Sequence, residues 1–344
     1  MRIFVTGVQG YIGSLLAPYL VARGHDVTGF DTGFYQDGWL YTDTRNRGAF
    51  PKLVWGDIRK ITAENLAGYD AVVHLAELSN DPLAKRDPRI TFRINHEGSV
   101  ALAEKAKAAG VGRFVYTSSC SVYGVGNGQM LTETSSTNPQ TAYAECKVLV
   151  ERDVMKLAGP DFSPTFLRNA TAYGASPRMR FDIVLNNLAG LAWTKKRIAM
   201  ESDGSPWRPL VHVLDICKAV KCVLDAPAEV VHNEIFNVGD TNANYRVREI
   251  AEIVGATFPG CEVTIGSSAG DNRSYRVSFE KILTKLPGFS CDWDAEKGAR
   301  QLREVFERID MSPETFEFRA FTRLKQLEFL NRTRQVDAEL FWTN

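Results

Sequence analysis

Thr6-Gly7-Val8-Gln9-Gly10-Tyr11-Ile12-Gly13 is the stretch that decides the fold of this chain. It follows an apolar run, Ile3-Phe4-Val5, that reads as a buried parallel strand. It precedes Ile12, Leu15, Leu16, Tyr19 and Leu20, whose spacing marks one face of a helix. Strand, glycine turn and helix in that order form the context of a dinucleotide site. Gly7 permits the tight turn, Gly10 lets backbone approach a pyrophosphate, and Gly13 lets helix and strand pack closely. The helix start, with Tyr11 and Ile12, then faces the phosphates. Pro18 falls inside the helix, where it removes a backbone hydrogen bond and predicts a slight bend. The next apolar run, Val27 to Phe30, ends at Asp31. A carboxylate there accepts from the adenosine ribose hydroxyls and repels a 2′-phosphate, which favours NAD over NADP.

A second motif is Tyr143-Ala-Glu-Cys-Lys147, with Ser119 placed 24 residues before the tyrosine. Side chains four apart on a helix share a face. An ammonium beside a phenol stabilises the phenolate, whose parent group otherwise titrates near pH ~10. The pair can therefore draw a proton from an alcohol near neutral pH, with a serine hydroxyl holding that alcohol in place.

Composition narrows the class. The chain has 344 residues, 44% of them hydrophobic, and a formal net charge of zero. That is enough for a large core and suggests two domains. Without a basic run, nucleic acid is not the expected partner. No apolar stretch reaches the ~20 residues of a membrane span, so no membrane partner is expected. The N-terminus enters a strand at once, which leaves no room for a signal peptide, and the expected location is cytoplasmic. The six cysteines lack paired metal spacing and read as reduced thiols, with no metal expected.

Apolar runs alternate with helical patterns through the first half. Strands are expected at 2–6, 26–30, 52–55, 70–75, 112–118 and 164–168, with helices at Gly98 to Ala109 and Tyr143 to Leu157. The α/β alternation predicts a Rossmann-type, doubly wound parallel sheet with ligands at the carboxyl ends of its strands. Residues 1–170 are expected to form the NAD-binding domain, joined by a strand returning near 234–239. Residues 171–344 are expected to form a smaller, partly interleaved substrate-binding domain with a C-terminal helical extension, read as a packing or dimer-contact element.

From residue 1 to roughly residue 285 the sequence resembles the extended short-chain dehydrogenases/reductases that act on nucleotide sugars, UDP-glucose 4-epimerase-like members included. Besides the motifs above, the resemblance rests on Gly56-Asp57-Ile58, His74-Leu75-Ala76, Asn95-His-Glu-Gly98-Ser99 and Thr117-Ser118-Ser119-Cys120-Ser121-Val122-Tyr123-Gly124. It implies Tyr143 as acid/base, Lys147 on the nicotinamide ribose and Ser119 on the reacting oxygen. It implies further NAD contacts from Asp57, Ile58, Leu75, Ala76, Asn95 and Thr117.

The resemblance also implies a nucleotide-diphosphate sugar substrate. Arg208, in Trp207-Arg208-Pro209, resembles the family's diphosphate-gripping arginine, and Asn187 its companion; Arg273 is a further candidate, and Arg178 and Arg180 lie in the same segment. The family's 4,6-dehydratases carry an Asp-Glu pair where this chain has Cys120 and Ser121, so dehydration and decarboxylation are not expected. Ser121 is assigned to the substrate and Cys120 to the core. Thr171 replaces an asparagine of the family's sugar pocket. Glu77 stands where many epimerases have glycine, as either a carboxylate at the sugar or a turn cap. A homodimer is implied through the helices after Asn95 and Tyr143, with Val100, Leu102, Ala103, Val148, Val150 and Val154 as its apolar surface. The expected reaction is epimerisation through transient oxidation at carbon 4, with a 4-ketoreductase, a 4-dehydrogenase and a non-catalytic cofactor sensor as the alternatives.

Overall fold

The computed structural model describes residues 1–79, 87–126, 128–268 and 273–343. Its centre is a seven-stranded sheet with the order Glu234–Val238, Ser163–Asn169, Arg113–Ser119, Ala71–His74, Arg2–Thr6, Asp26–Asp31, Lys52–Trp55. Every neighbouring pair runs parallel. Such strands are covered on both faces, which is why runs like Ile3-Phe4-Val5 and Ala71-Val72-Val73 are continuously apolar. The expected strands all form, with ends shifted by a residue or so.

The strand order reverses between Arg2–Thr6 and Ala71–His74, and a parallel α/β sheet opens its ligand crevice at such a point. Register sets Thr6 beside Phe30 and His74, and Ser119 beside Asn169. The carboxyl ends carrying Thr6, Asp31, His74 and Ser119 therefore share one rim.

Helix Gly13–Val21 packs with Val213–Asp225, and helix Ser99–Ala108 packs with Ala142–Met155. Pro18 lies inside the first, as expected. A π-helical stretch, Phe92–Gly98, runs directly into Ser99–Ala108, so Asn95 sits within a wide turn rather than at a helix start. Leu102, Ala103, Val150 and Val154 are fully buried against their own sheet. That corrects the surface assigned to them: of the six residues proposed for a dimer contact, Val100 and Val148 alone are only partly buried.

The second half contributes a small sheet of Thr171–Tyr173, Trp207–His212 and Asn244–Arg246 beside the main one. Helix Ala295–Arg308 packs on Val184–Lys195 and Val247–Thr257. The last helix, Arg323–Arg332, goes elsewhere. Leu327, Leu330, Val336 and Leu340 join the core cluster of Phe34 and Ile58, and so cover the first half of the chain. Among the described residues, no helix is long and apolar enough to cross a membrane.

Candidate active site

A cavity of about 570 Å³ opens along the rim. At one end the glycine turn forms its floor. Gly7 has φ +73°, and a Cβ on it would lie 2.8 Å from the Ala76 nitrogen. A Cβ on Gly13 would lie 2.2 Å from the Gly7 carbonyl oxygen. Neither position admits a side chain, so backbone N–H groups at the helix start line the cavity with Tyr11 and Ile12. That is a cradle for a pyrophosphate.

Asp31 lies at the adjacent strand end. One carboxylate oxygen accepts from the Gln9 N–H and the other from the Gly33 N–H, each at 2.8 Å. Burial pushes its carboxyl up, opposed by those two hydrogen bonds. Each oxygen keeps a lone pair for a hydroxyl, and Asp57 and Ile58 line the same end. Asp57 caps the short helix Ile58–Lys60 and pairs with Arg59 at 2.6 Å. Removal of the carboxylate in Asp31→Ala is expected to weaken NAD at least ten-fold and to narrow its advantage over NADP. Calorimetry with both dinucleotides checks this, and NADP binding tighter than NAD in the wild type contradicts the assignment.

Ser119, Tyr143 and Lys147 line the same cavity. Thr141 caps helix Ala142–Met155 by accepting from the Ala144 N–H, so Tyr143 enters at the first turn. Ser119 Oγ accepts from the Ser121 N–H at 3.1 Å, which leaves its own proton to donate. Lys147 is buried and its Nζ lies 5.4 Å from the Tyr143 ring centre. Nζ donates to the Thr117 carbonyl at 2.5 Å and lies 2.5 Å from Glu77 Oε2. The second contact is a buried ion pair. Two of the ammonium's three donor directions are thus taken.

Glu77 lines the cavity, but its carboxylate is paired within the protein. Its Oε1 accepts from the Tyr116 hydroxyl at 2.5 Å, and Oε2 faces Lys147. Burial raises the Glu77 carboxyl, against the pull of Lys147. Burial lowers the Lys147 ammonium, but Glu77 and Tyr143 together outweigh it and push the lysine up. Behind this pair, His74 bridges Thr6 Oγ1 and Ser99 Oγ, each at 2.7 Å. Asn95 binds both main-chain groups of Leu78, Oδ1 accepting at 2.8 Å and Nδ2 donating at 3.1 Å. It thereby fixes the turn that carries Glu77 instead of lining the cavity.

Burial, and then the Lys147 charge, push His74 down to about 3. The folded chain keeps His74 neutral while the unfolded chain protonates it below about pH 6.5. Stability from this group is complete above pH 6.5 and is lost as pH falls towards 3, by about 1.4 kcal/mol per unit. The stability difference between wild type and His74→Gln should shrink with that slope between pH 6 and 4, as read by urea unfolding. A constant difference contradicts the neutral assignment.

Ser121, Thr171, Arg208 and Arg273 also line the cavity. Ser121 Oγ is buried without a hydrogen-bond partner among the described residues, and Ser121 lines the cavity. Cys120 points into the core, its thiol donating to the Arg168 carbonyl at 3.1 Å, and burial pushes that thiol far up. Arg208 donates to the main-chain carbonyls of Trp207 and Arg273. Asn187 does not line the cavity; its amide donates to the Phe181 carbonyl at 2.9 Å. Arg178 holds a loop, donating to the carbonyls of Tyr35, Gln36 and Gly38. Arg180 and Asp182 pair at 2.9 Å in the cavity wall.

The model of the NAD dependent epimerase/dehydratase family matches residues 3–239. This chain belongs to that family. Among its relatives is a UDP-glucose 4-epimerase of Corynebacterium glutamicum, 29% identical over 311 residues, which cover 83% of this chain and 90% of the relative. Of solved structures, MoeE5 in complex with UDP-glucuronic acid and NAD superposes with a TM-score of 0.77 at 25% identity, covering 90% of this chain and 99% of that one. The dTDP-glucose 4,6-dehydratase DesIV of Streptomyces venezuelae, with NAD bound, gives 0.76 at 25% identity, covering 90% and 97%.

The protein is accordingly an NAD-dependent enzyme of the short-chain dehydrogenase/reductase type, from a family of nucleotide-sugar epimerases and dehydratases. The glycine cradle and Asp31 fit that cofactor. The sequence reading missed Tyr35, Asp182 and Arg323 in the cavity wall and the partners of Glu77. All are brought in by long-range packing that spacing does not reveal.

Proposed function

We propose that this enzyme is a nucleotide-sugar 4-epimerase. The observation that carries the reading is that Ser119, Tyr143 and Lys147 line one cavity together with the glycine cradle and with Arg208 and Arg273. In this reading Ser119 donates to the oxygen on carbon 4 and Tyr143 takes its proton. Lys147 holds the tyrosinate and uses its remaining donor direction on the nicotinamide ribose. NAD, when bound, supplies a reversible hydride acceptor. Arg208 and Arg273 grip the diphosphate, for which a guanidinium fork is suited. Ser121 and Thr171 face the sugar and offer neutral hydroxyls.

Elimination of water needs a further acid and base. The Asp-Glu places hold Cys120, turned into the core, and Ser121, which has no useful acidity. Glu77 is tied to Lys147 and Tyr116. These placements support epimerisation over dehydration. Incubating the protein with UDP-, GDP-, CDP- and dTDP-hexoses and reading products by NMR tests it. A 4-epimer is expected from at least one, whereas a 6-deoxy-4-keto product contradicts the reading. A homodimer in cytoplasmic surroundings belongs to the same proposal; light scattering at micromolar concentration should give twice the chain mass, and a monomer mass counts against it.

A further inference from the structure

Arg323 opens the last helix, in the tail beyond the residues that match the family. A cation there meets the positive end of the helix dipole, which is unfavourable. The residue is nevertheless 3% exposed and lines the cavity together with Asp31, Tyr35, Arg180 and Asp182. Its guanidinium stacks 3.9 Å from the Tyr35 ring centre. Its main-chain N–H donates to Asp182 Oδ2 at 3.2 Å, but its side chain forms no hydrogen bond or ion pair among the described residues. The nearby carboxylates are committed: Asp182 pairs with Arg180, and Asp31 accepts from Gln9 and Gly33. Burial, and then the like charge of Arg180, push Arg323 down to about 10, against the opposing pull of Tyr35, Asp182 and Asp31.

A buried guanidinium that makes no ion-pair contact is costly, more so beside a second one. The wall it occupies contains Asp31 and Tyr35, at and just after the strand end that takes the adenosine ribose. We propose that the C-terminal tail is a clasp for the cofactor, with Arg323 as the counter-charge of the dinucleotide pyrophosphate on the side opposite the glycine cradle. The rest of the tail holds the clasp in place. Gln326 donates to the Phe34 carbonyl at 2.9 Å, and the Trp342 indole donates to the Thr32 carbonyl at 2.6 Å. Both acceptors lie in the loop that follows Asp31. The assignment rests on NAD binding alone and holds whichever reaction the enzyme performs.

The test is calorimetry on the full-length chain with NAD, ADP-ribose, adenosine and UDP, in wild type, Arg323→Gln, Arg323→Met and Arg323→Lys. The two neutral variants should bind NAD and ADP-ribose at least ten-fold more weakly, with adenosine and UDP within two-fold of wild type. Arg323→Lys should recover part of the loss, because charge returns without the planar fork. Without nucleotide, the neutral variants should melt no lower than wild type, since they lose an uncompensated buried charge, and NAD should raise their melting temperature less. Unchanged ADP-ribose affinity in the neutral variants overturns the proposal. A loss confined to UDP overturns it too, because that places Arg323 on the sugar nucleotide. Failure of both neutral variants to fold makes Arg323 a structural group and also overturns it.

Discussion

Tyr143→Phe is expected to reduce turnover by about 10²–10⁴, the usual contribution of a positioned acid/base, while NAD affinity stays within a few-fold. The phenol oxygen is the only atom removed, and the ring remains at the first turn of helix Ala142–Met155. The hydroxyl of Ser119 is left to hold the alcohol but has no means of taking its proton near neutral pH. Steady-state product analysis beside calorimetry separates the two effects. Wild-type turnover in Tyr143→Phe would falsify the assignment of the base.

Lys147→Met should damage both rate and cofactor binding, because the ammonium is proposed to serve both the tyrosinate and the ribose. It also strands Glu77, whose buried carboxylate loses its counter-charge. Leaving one partner of a buried pair unmatched costs about 3–5 kcal/mol, so this variant should be less stable as well as slow. Glu77→Gln separates the roles. The amide keeps a similar shape but no longer offsets the lysine charge, so the tyrosinate sees a more positive surrounding. The acid limb of the pH–rate profile for sugar oxidation should then move to lower pH, by about one unit. A limb that stays in place, with activity reduced uniformly, shows that Glu77 only positions Lys147.

The sheet and the cofactor end were legible because their signals are local. A βα glycine turn, an apolar run ending in Asp31 and a helix bearing Tyr143 and Lys147 each depend on residues close in sequence. The pairing of Glu77 with Lys147 was not legible. It joins a strand-end turn to a helix and is made possible by Asn95 holding Leu78 from a π-helical stretch. The same limit applied to the dimer surface. Leu102 and Val150 are apolar at helical spacing, which marks a buried face without saying whether the sheet or a partner buries it. Asn187 was carried over by motif, and its amide is used on the Phe181 carbonyl. Arg323 did leave one mark: a cation at the start of a helix works against the dipole and asks for a reason elsewhere.

The central claim is that hydride leaves carbon 4 and returns to the same carbon. Nucleotide sugar deuterated at carbon 4 tests this most directly, with absorbance at the NADH band followed beside NMR of the product. The account predicts a 4-epimer that retains the deuterium, with no NADH building up. Deuterium appearing in free NADH in step with an oxidised sugar would mean a dehydrogenase, a requirement for added NADH and a keto sugar would mean a reductase, and either contradicts it.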